Sequence, residues 1–134
     1  MNTLISRAAF VAIALLAPLV FAQDPAARAL GLMKSVIIPA SDAVFAVGKA
    51  PPKSDREWAA VENGAARLVD AGRTLAGEAP ASGGAPWTKL AIAMAESAAV
   101  AGAAAKQRNV DAVLDAGDVL YTTCEDCHRQ YMKK

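Results

Sequence analysis

The chain has 134 residues, 54% hydrophobic, 5% aromatic and 20% charged, with a formal net charge of +1. That length suits one domain behind a short leader, and the balanced charge argues against nucleic acid as a partner. Two cysteines and one histidine in all are too few for a closed four-ligand zinc site.

Residues 1–22 read as a secretory signal peptide: Arg7, an apolar run from Ala8 to Val20, then Val20-Phe21-Ala22 as a small-residue cleavage site. The run is short for a membrane span, so cleavage before Gln23 is expected, leaving residues 23–134 with no spanning segment. Removing Arg7 leaves thirteen charges of each sign.

Asp24-Pro25 is a helix start, an N-cap followed by proline at the first position. Leu30, Met33, Ile37, Ala40, Val44 and Val47 then recur at threes and fours, one face of a helix. Pro39 should kink or locally break it, and Gly48 with Pro51-Pro52 ends it. Ser54-Asp55-Arg56-Glu57 is a capping box opening a second helix with Trp58, Val61, Ala65, Leu68, Gly72 and Leu75 on its stripe. Residues 77–85 form a Gly/Pro/Ser loop. Pro86 starts a third helix along Trp87, Ala91, Met94, Ala98, Ala101 and Ala105. Asn109-Val110-Asp111 caps a fourth, with Val110, Leu114, Gly117, Tyr121, Cys124, His128 and Tyr131 in line. The reading is all-α: an antiparallel up-down-up-down four-helix bundle.

The fourth helix carries Cys124-Glu125-Asp126-Cys127-His128, the C-x-x-C-H sequence of covalent haem attachment. Two thiols three positions apart can each add to a vinyl group of one porphyrin, and the adjacent imidazole can bind its iron. A thioredoxin-like pair wants a βαβ setting that is not legible here, and a disulfide across one helical turn closes too small a loop to stabilise much. Haem attachment is favoured, with a disulfide or metal site as lesser alternatives. Export agrees with it, because bacterial haem attachment takes place outside the cytoplasm. Cys124 and His128, four apart, are expected to share the core stripe.

A C-x-x-C-H at the end of a four-helix chain, with Tyr131 three residues beyond His128 and Leu32-Met33-Lys34 in the first helix, resembles cytochrome c′ and the related class II c-type cytochromes. The resemblance implies one covalent haem c near the C-terminus, held by Cys124 and Cys127, with His128 on the iron and Tyr131 near the porphyrin. It also implies that the first helix supplies the sixth iron position. Counting from Leu-Met-Lys selects Met33, whose thioether suits haem iron and raises its potential; counting from Arg28 selects Leu32 and leaves the iron open. The Met33 reading gives a periplasmic carrier of single electrons, not an enzyme, with redox proteins as donor and acceptor. The Leu32 reading gives a five-coordinate protein that binds NO or CO. A peroxidase would want a distal acid–base group, and no second histidine exists. Ala26, Ala29, Val36 and Ala43 either widen the core face or pair two copies as a homodimer. Arg129, Lys133 and Lys134 make a basic group beside the motif, as a docking patch or as cations at a helix end.

Overall fold

The Asp24 carboxylate accepts from the Ala26 amide at 3.2 Å and Pro25 takes the first helical position, so the first helix begins where its cap places it. The computed structural model describes residues 24–132; the expected signal segment 1–22, Lys133 and Lys134 lie outside them. Helix α1 runs Pro25–Gly48, 24 residues. The capping box forms as written: the Ser54 hydroxyl accepts from the Glu57 amide, and the Glu57 carboxylate accepts from the Ser54 amide. A hydrogen bond from the Lys53 amide, and after it those from Ser54, hold the Glu57 carboxyl below its ordinary pKa. Helix α2 follows as Asp55–Gly77, α3 as Gly84–Lys106 and α4 as Val110–Tyr131. The third begins two residues before Pro86, at Gly84, whose φ of 51° favours glycine. Asn109 caps α4 by accepting from the Ala112 amide. Among the described residues there is no strand, and the four helices pack against one another.

The core is built from small residues. Ala65, Leu68, Ala98, Ala101, Ala105, Val113 and Leu120 are buried along α2, α3 and α4. Gly64 and Gly72 set the spacing. A Cβ on Gly64 would lie 2.7 Å from the Ala40 carbonyl oxygen of α1, and one on Gly72 2.7 Å from that of Ala91 in α3. Without side chains there, backbones come close enough for alanine to fill the space between them.

Pro39 interrupts the α-helical pattern of α1 locally, as expected, and three other expectations are corrected. The chain relieves the proline's missing N–H and ring clash one turn earlier, in a π-turn at Met33–Ile37 where the Ile38 amide donates to the Met33 carbonyl five residues back. The first-helix stripe therefore holds from Ile37 to Val47 but not upstream: Leu30 is 55% exposed, whereas Ala29, Leu32, Met33 and Val36 rest against the core. In α4 the buried line is Val113, Ala116, Gly117 and Leu120; Leu114 and Tyr121 are exposed, each one position round the helix from that line. Finally, α1 is long and apolar enough to cross a membrane by length and composition, contrary to the expectation that no segment after residue 22 is. The same apolarity at this place is compatible with a signal sequence, yet Ile37, Ala40, Val44 and Val47 of α1 are buried in the bundle.

Candidate functional site

Continuing the buried line of α4 from Gly117 and Leu120 at fours and threes leads to Cys124, Cys127 and Tyr131. Past Leu120 the line is only half-buried. There the bundle opens into two apolar cavities, and the chemically distinctive side chains gather around them. The first, of about 220 Å³, is walled by Met33, Ile37, Ile38, Ser41 and Phe45 of α1, Leu75 of α2, Trp87, Leu90, Ala91 and Met94 of α3, and Tyr121, Thr123, Cys124, Glu125, Cys127 and His128 of α4. The second, of about 500 Å³, is walled by Ala26, Ala29, Leu30 and Met33, by Pro80, Ser82 and Trp87, and by Cys127, His128, Tyr131 and Met132. Met33, Trp87, Cys127 and His128 line both. Leu32 lines neither, being packed against the core.

The structure thus brings Met33, Cys124, Cys127, His128 and Tyr131 to one end of the bundle. It corrects the placement of His128, which is exposed and stands one position beside the line that Cys124 and Cys127 follow. A C-x-x-C pair fits the three–four spacing of a buried seam; the residue directly after it steps about 100° round the helix.

An aromatic clasp fixes this end. The Trp87 indole N–H donates to the Leu75 carbonyl at 2.7 Å, which ties α3 to α2. Tyr131 meets the Trp87 ring edge-to-face at 5.0 Å and its hydroxyl donates to the Gly83 carbonyl at 3.1 Å. The last turn of α4 is thereby tied to the α2–α3 connection. Phe45 and Tyr121 form a second edge-to-face pair, at 6.2 Å. On the outer side, the Arg28 guanidinium of α1 lies 3.5 Å from the Glu78 carboxylate, and Arg129 pairs with Asp126 at 2.6 Å. Of the expected basic group, Arg129 is thus engaged along its own helix.

Both cysteines are free thiols. Burial raises the pKa of each; for Cys124 the neighbouring Cys127 adds to the rise and a hydrogen bond with Thr123 opposes it. A thiol held in its neutral form is the opposite of the activated thiolate that redox motifs display. Among the described residues no group of three His, Cys, Asp or Glu side chains converges to hold a bare metal ion. The Met33 thioether comes from α1 and the Cys124 and Cys127 thiols and the His128 imidazole from α4, around largely apolar walls. Phe45, Leu90 and Glu125 belong to those walls and were not singled out from the sequence. Phe45 sits beside the α1 stripe, where the three–four pattern gives no mark. A more open groove of about 670 Å³ runs outside α3 and α4 past Lys89, Asp126 and Arg129, and none of the five candidate residues lines it.

No protein-family model, curated protein or solved structure matches the chain.

Proposed function

We propose that this protein is a mono-haem c-type cytochrome of up-down-up-down four-helix architecture that carries single electrons in the periplasm after residues 1–22 are removed. The observation that carries the reading is that Met33 of α1 and Cys127 and His128 of α4 line the same two apolar cavities, with Cys124 in the wall of the first. The donor set fits the group. Two thiols three residues apart match two vinyl groups, and each addition places sulfur on one vinyl carbon and the thiol hydrogen on the other, with nothing leaving. An imidazole and a thioether are the His/Met pair that favours a raised potential. The second cavity, of about 500 Å³, falls in the range of about 300–1,000 Å³ typical of cofactor sites, and the first, of about 220 Å³, shares four lining residues with it.

Bound haem supplies a one-electron ferric–ferrous couple. The chain's residues do the rest. Cys124 and Cys127 would hold the group covalently, His128 and Met33 would supply an imidazole and a thioether to its iron, and Ile37, Leu75, Trp87 and Met94 would exclude water. An iron held by two protein side chains would exchange electrons without binding substrate, so the role is that of a carrier with redox proteins on either side.

The test is to produce the full chain in a bacterium that attaches haem c, then record its mass and its spectra when oxidised, reduced, and reduced under CO. The expected result is one haem retained on denaturation, loss of both free thiols, a ferric methionine–iron charge-transfer band and no response to CO. Met33→Ala should abolish the band and admit CO. A chain that attaches no haem refutes the reading. High-spin bands that shift at once with CO in the unmodified chain replace it with an open-iron, NO- or CO-binding protein.

A further inference from the structure

The π-turn lies in the helix that carries Met33, and it changes what that helix presents. Carried back at the α-helical period, the buried residues Val47, Val44, Ala40 and Ile37 lead to Met33, Leu30 and Ala26. Upstream, Val36, Leu32 and Ala29 rest against the core, each one position earlier, with Met33 beside Leu32, while Leu30 and Ala26 are exposed. A five-residue hydrogen-bonded step does this: it acts as one inserted residue and turns everything upstream by up to about 100°. Leu32 takes the direction that the unbroken period would give to Met33, and both rest against the core. Met33 is turned one position toward the side on which Ile38, Ser41 and Phe45, next to the stripe residue Ile37, line the first cavity with His128.

The cause is written in the helix. Pro39 has no N–H, and in an unbroken α-helix its ring would press on the Ser35 carbonyl. Ser35 itself donates its hydroxyl to the Gly31 carbonyl at 2.8 Å, a bond of the kind that bends helices. Gly31, Ser35 and Pro39 are spaced four apart and all exposed, so the outer face of α1 concentrates the residues that allow a helix to widen.

We infer that Pro39 is a positioning residue: by imposing the π-turn at Met33–Ile37 it turns Met33 one position off the buried line of α1, where its side chain lines both cavities with His128. The inference rests on the haem reading for its purpose, but the geometry can be tested without it. In a straightened helix the register shifts by one, so residue 34 takes the direction that Met33 has now. Replacing Pro39 alone should therefore lose the methionine from the site, and placing methionine at position 34 should return it.

Three full-length chains decide this: the parent, Pro39→Ala, and Pro39→Ala with Lys34→Met. Three readouts are taken: the ferric methionine–iron band of haem-loaded protein and, in the chain as purified, the nuclear Overhauser effect between the Met33 methyl and the Trp87 ring, which line the same two cavities, and a coupling across the hydrogen bond from the Ile38 amide to the Met33 carbonyl. The parent should show all three. Pro39→Ala should lose the band and the contact while its helix content and melting temperature hold or rise, and the double variant should regain the band. Retention of band and contact by Pro39→Ala overturns the inference, as does coupling of Ile38 to Lys34 in the parent or a folded double variant that fails to recover the band. If the parent takes up no haem, the electron-carrier reading falls, and the Met33–Trp87 contact and the Ile38 coupling still decide the role of Pro39.

Discussion

Burial that raises the pKa of Cys124 and Cys127 ties the stability of the haem-free chain to pH. The folded state holds these protons more tightly than the unfolded state, so the stabilisation is fully present below the ordinary thiol pKa of about 8.5 and is lost as pH rises from there through the raised values. Urea midpoints of the haem-free chain should fall across that alkaline window more steeply than those of a Cys124→Ala/Cys127→Ala double variant. Equal slopes would mean that the thiols are solvated. The same residues show how far the site is legible in the sequence. As candidates, Cys124, Cys127 and His128 are marked by the C-x-x-C-H spacing, and Met33 by its place on the three–four stripe and in the Leu32-Met33-Lys34 string. That His128 stands beside the seam, and that Leu114 and Tyr121 do not belong to it, was not legible. Gly117 belongs to both the expected and the observed line, but the apolar residues Val113/Leu114 and Leu120/Tyr121 are adjacent pairs, and α4 buries the first of each. Spacing at threes and fours does not choose between neighbours when both are apolar.

Helix ends were legible almost to the residue because their signals are local: Asp24-Pro25, the Ser54–Glu57 box and Asn109 each satisfy amides one turn away. What an interior proline does is less local. It can bend a helix, end it or be absorbed by a π-turn, and the choice depends on whether the residues upstream find something to pack against. Interhelical distance is likewise set from outside the helix, by glycine. Gly72→Ala would drive a methyl to 2.7 Å from the Ala91 carbonyl and 2.9 Å from the Ala95 Cβ. Overpacking of this kind costs about 1–3 kcal/mol, against up to about 1 kcal/mol of helix propensity regained. A net loss is expected, read as a lower urea midpoint. Gly31 is the control: nothing lies within 4 Å of its Cβ position, so Gly31→Ala should instead stabilise by about 0.5–1 kcal/mol. Two glycine-to-alanine changes of opposite sign separate close approach from propensity; like signs would refute the assignment of Gly72 to helix spacing.

At the scale of the whole molecule, stability is distributed unevenly, and the candidate site lies at the weak end. Helices α2 and α3 share an alanine-filled interface from Ala65 and Leu68 across to Ala98, Ala101 and Ala105. In Pro25–Leu32, by contrast, no residue is buried, and the segment overhangs the second cavity with Leu30 and Ala26 in its wall. Few apolar contacts and exposed backbone hydrogen bonds make a segment open at low cost. Amide exchange in the haem-free chain should therefore be fastest in residues 25–36, faster than in α2 and α3 by orders of magnitude. A covalently held haem would place a large apolar surface against Met33, Trp87 and the first helix, and a group that binds only the folded state stabilises it. Haem loading should then slow exchange most in residues 25–36 and raise the melting temperature. The Phe45–Tyr121 and Trp87–Tyr131 pairs already brace α4 against α1 and α3, so α4 should change less. Uniform slowing would indicate only general tightening. Protection confined to α4 would mean that α1 takes no part in the site, and with it the assignment of Met33 would fail.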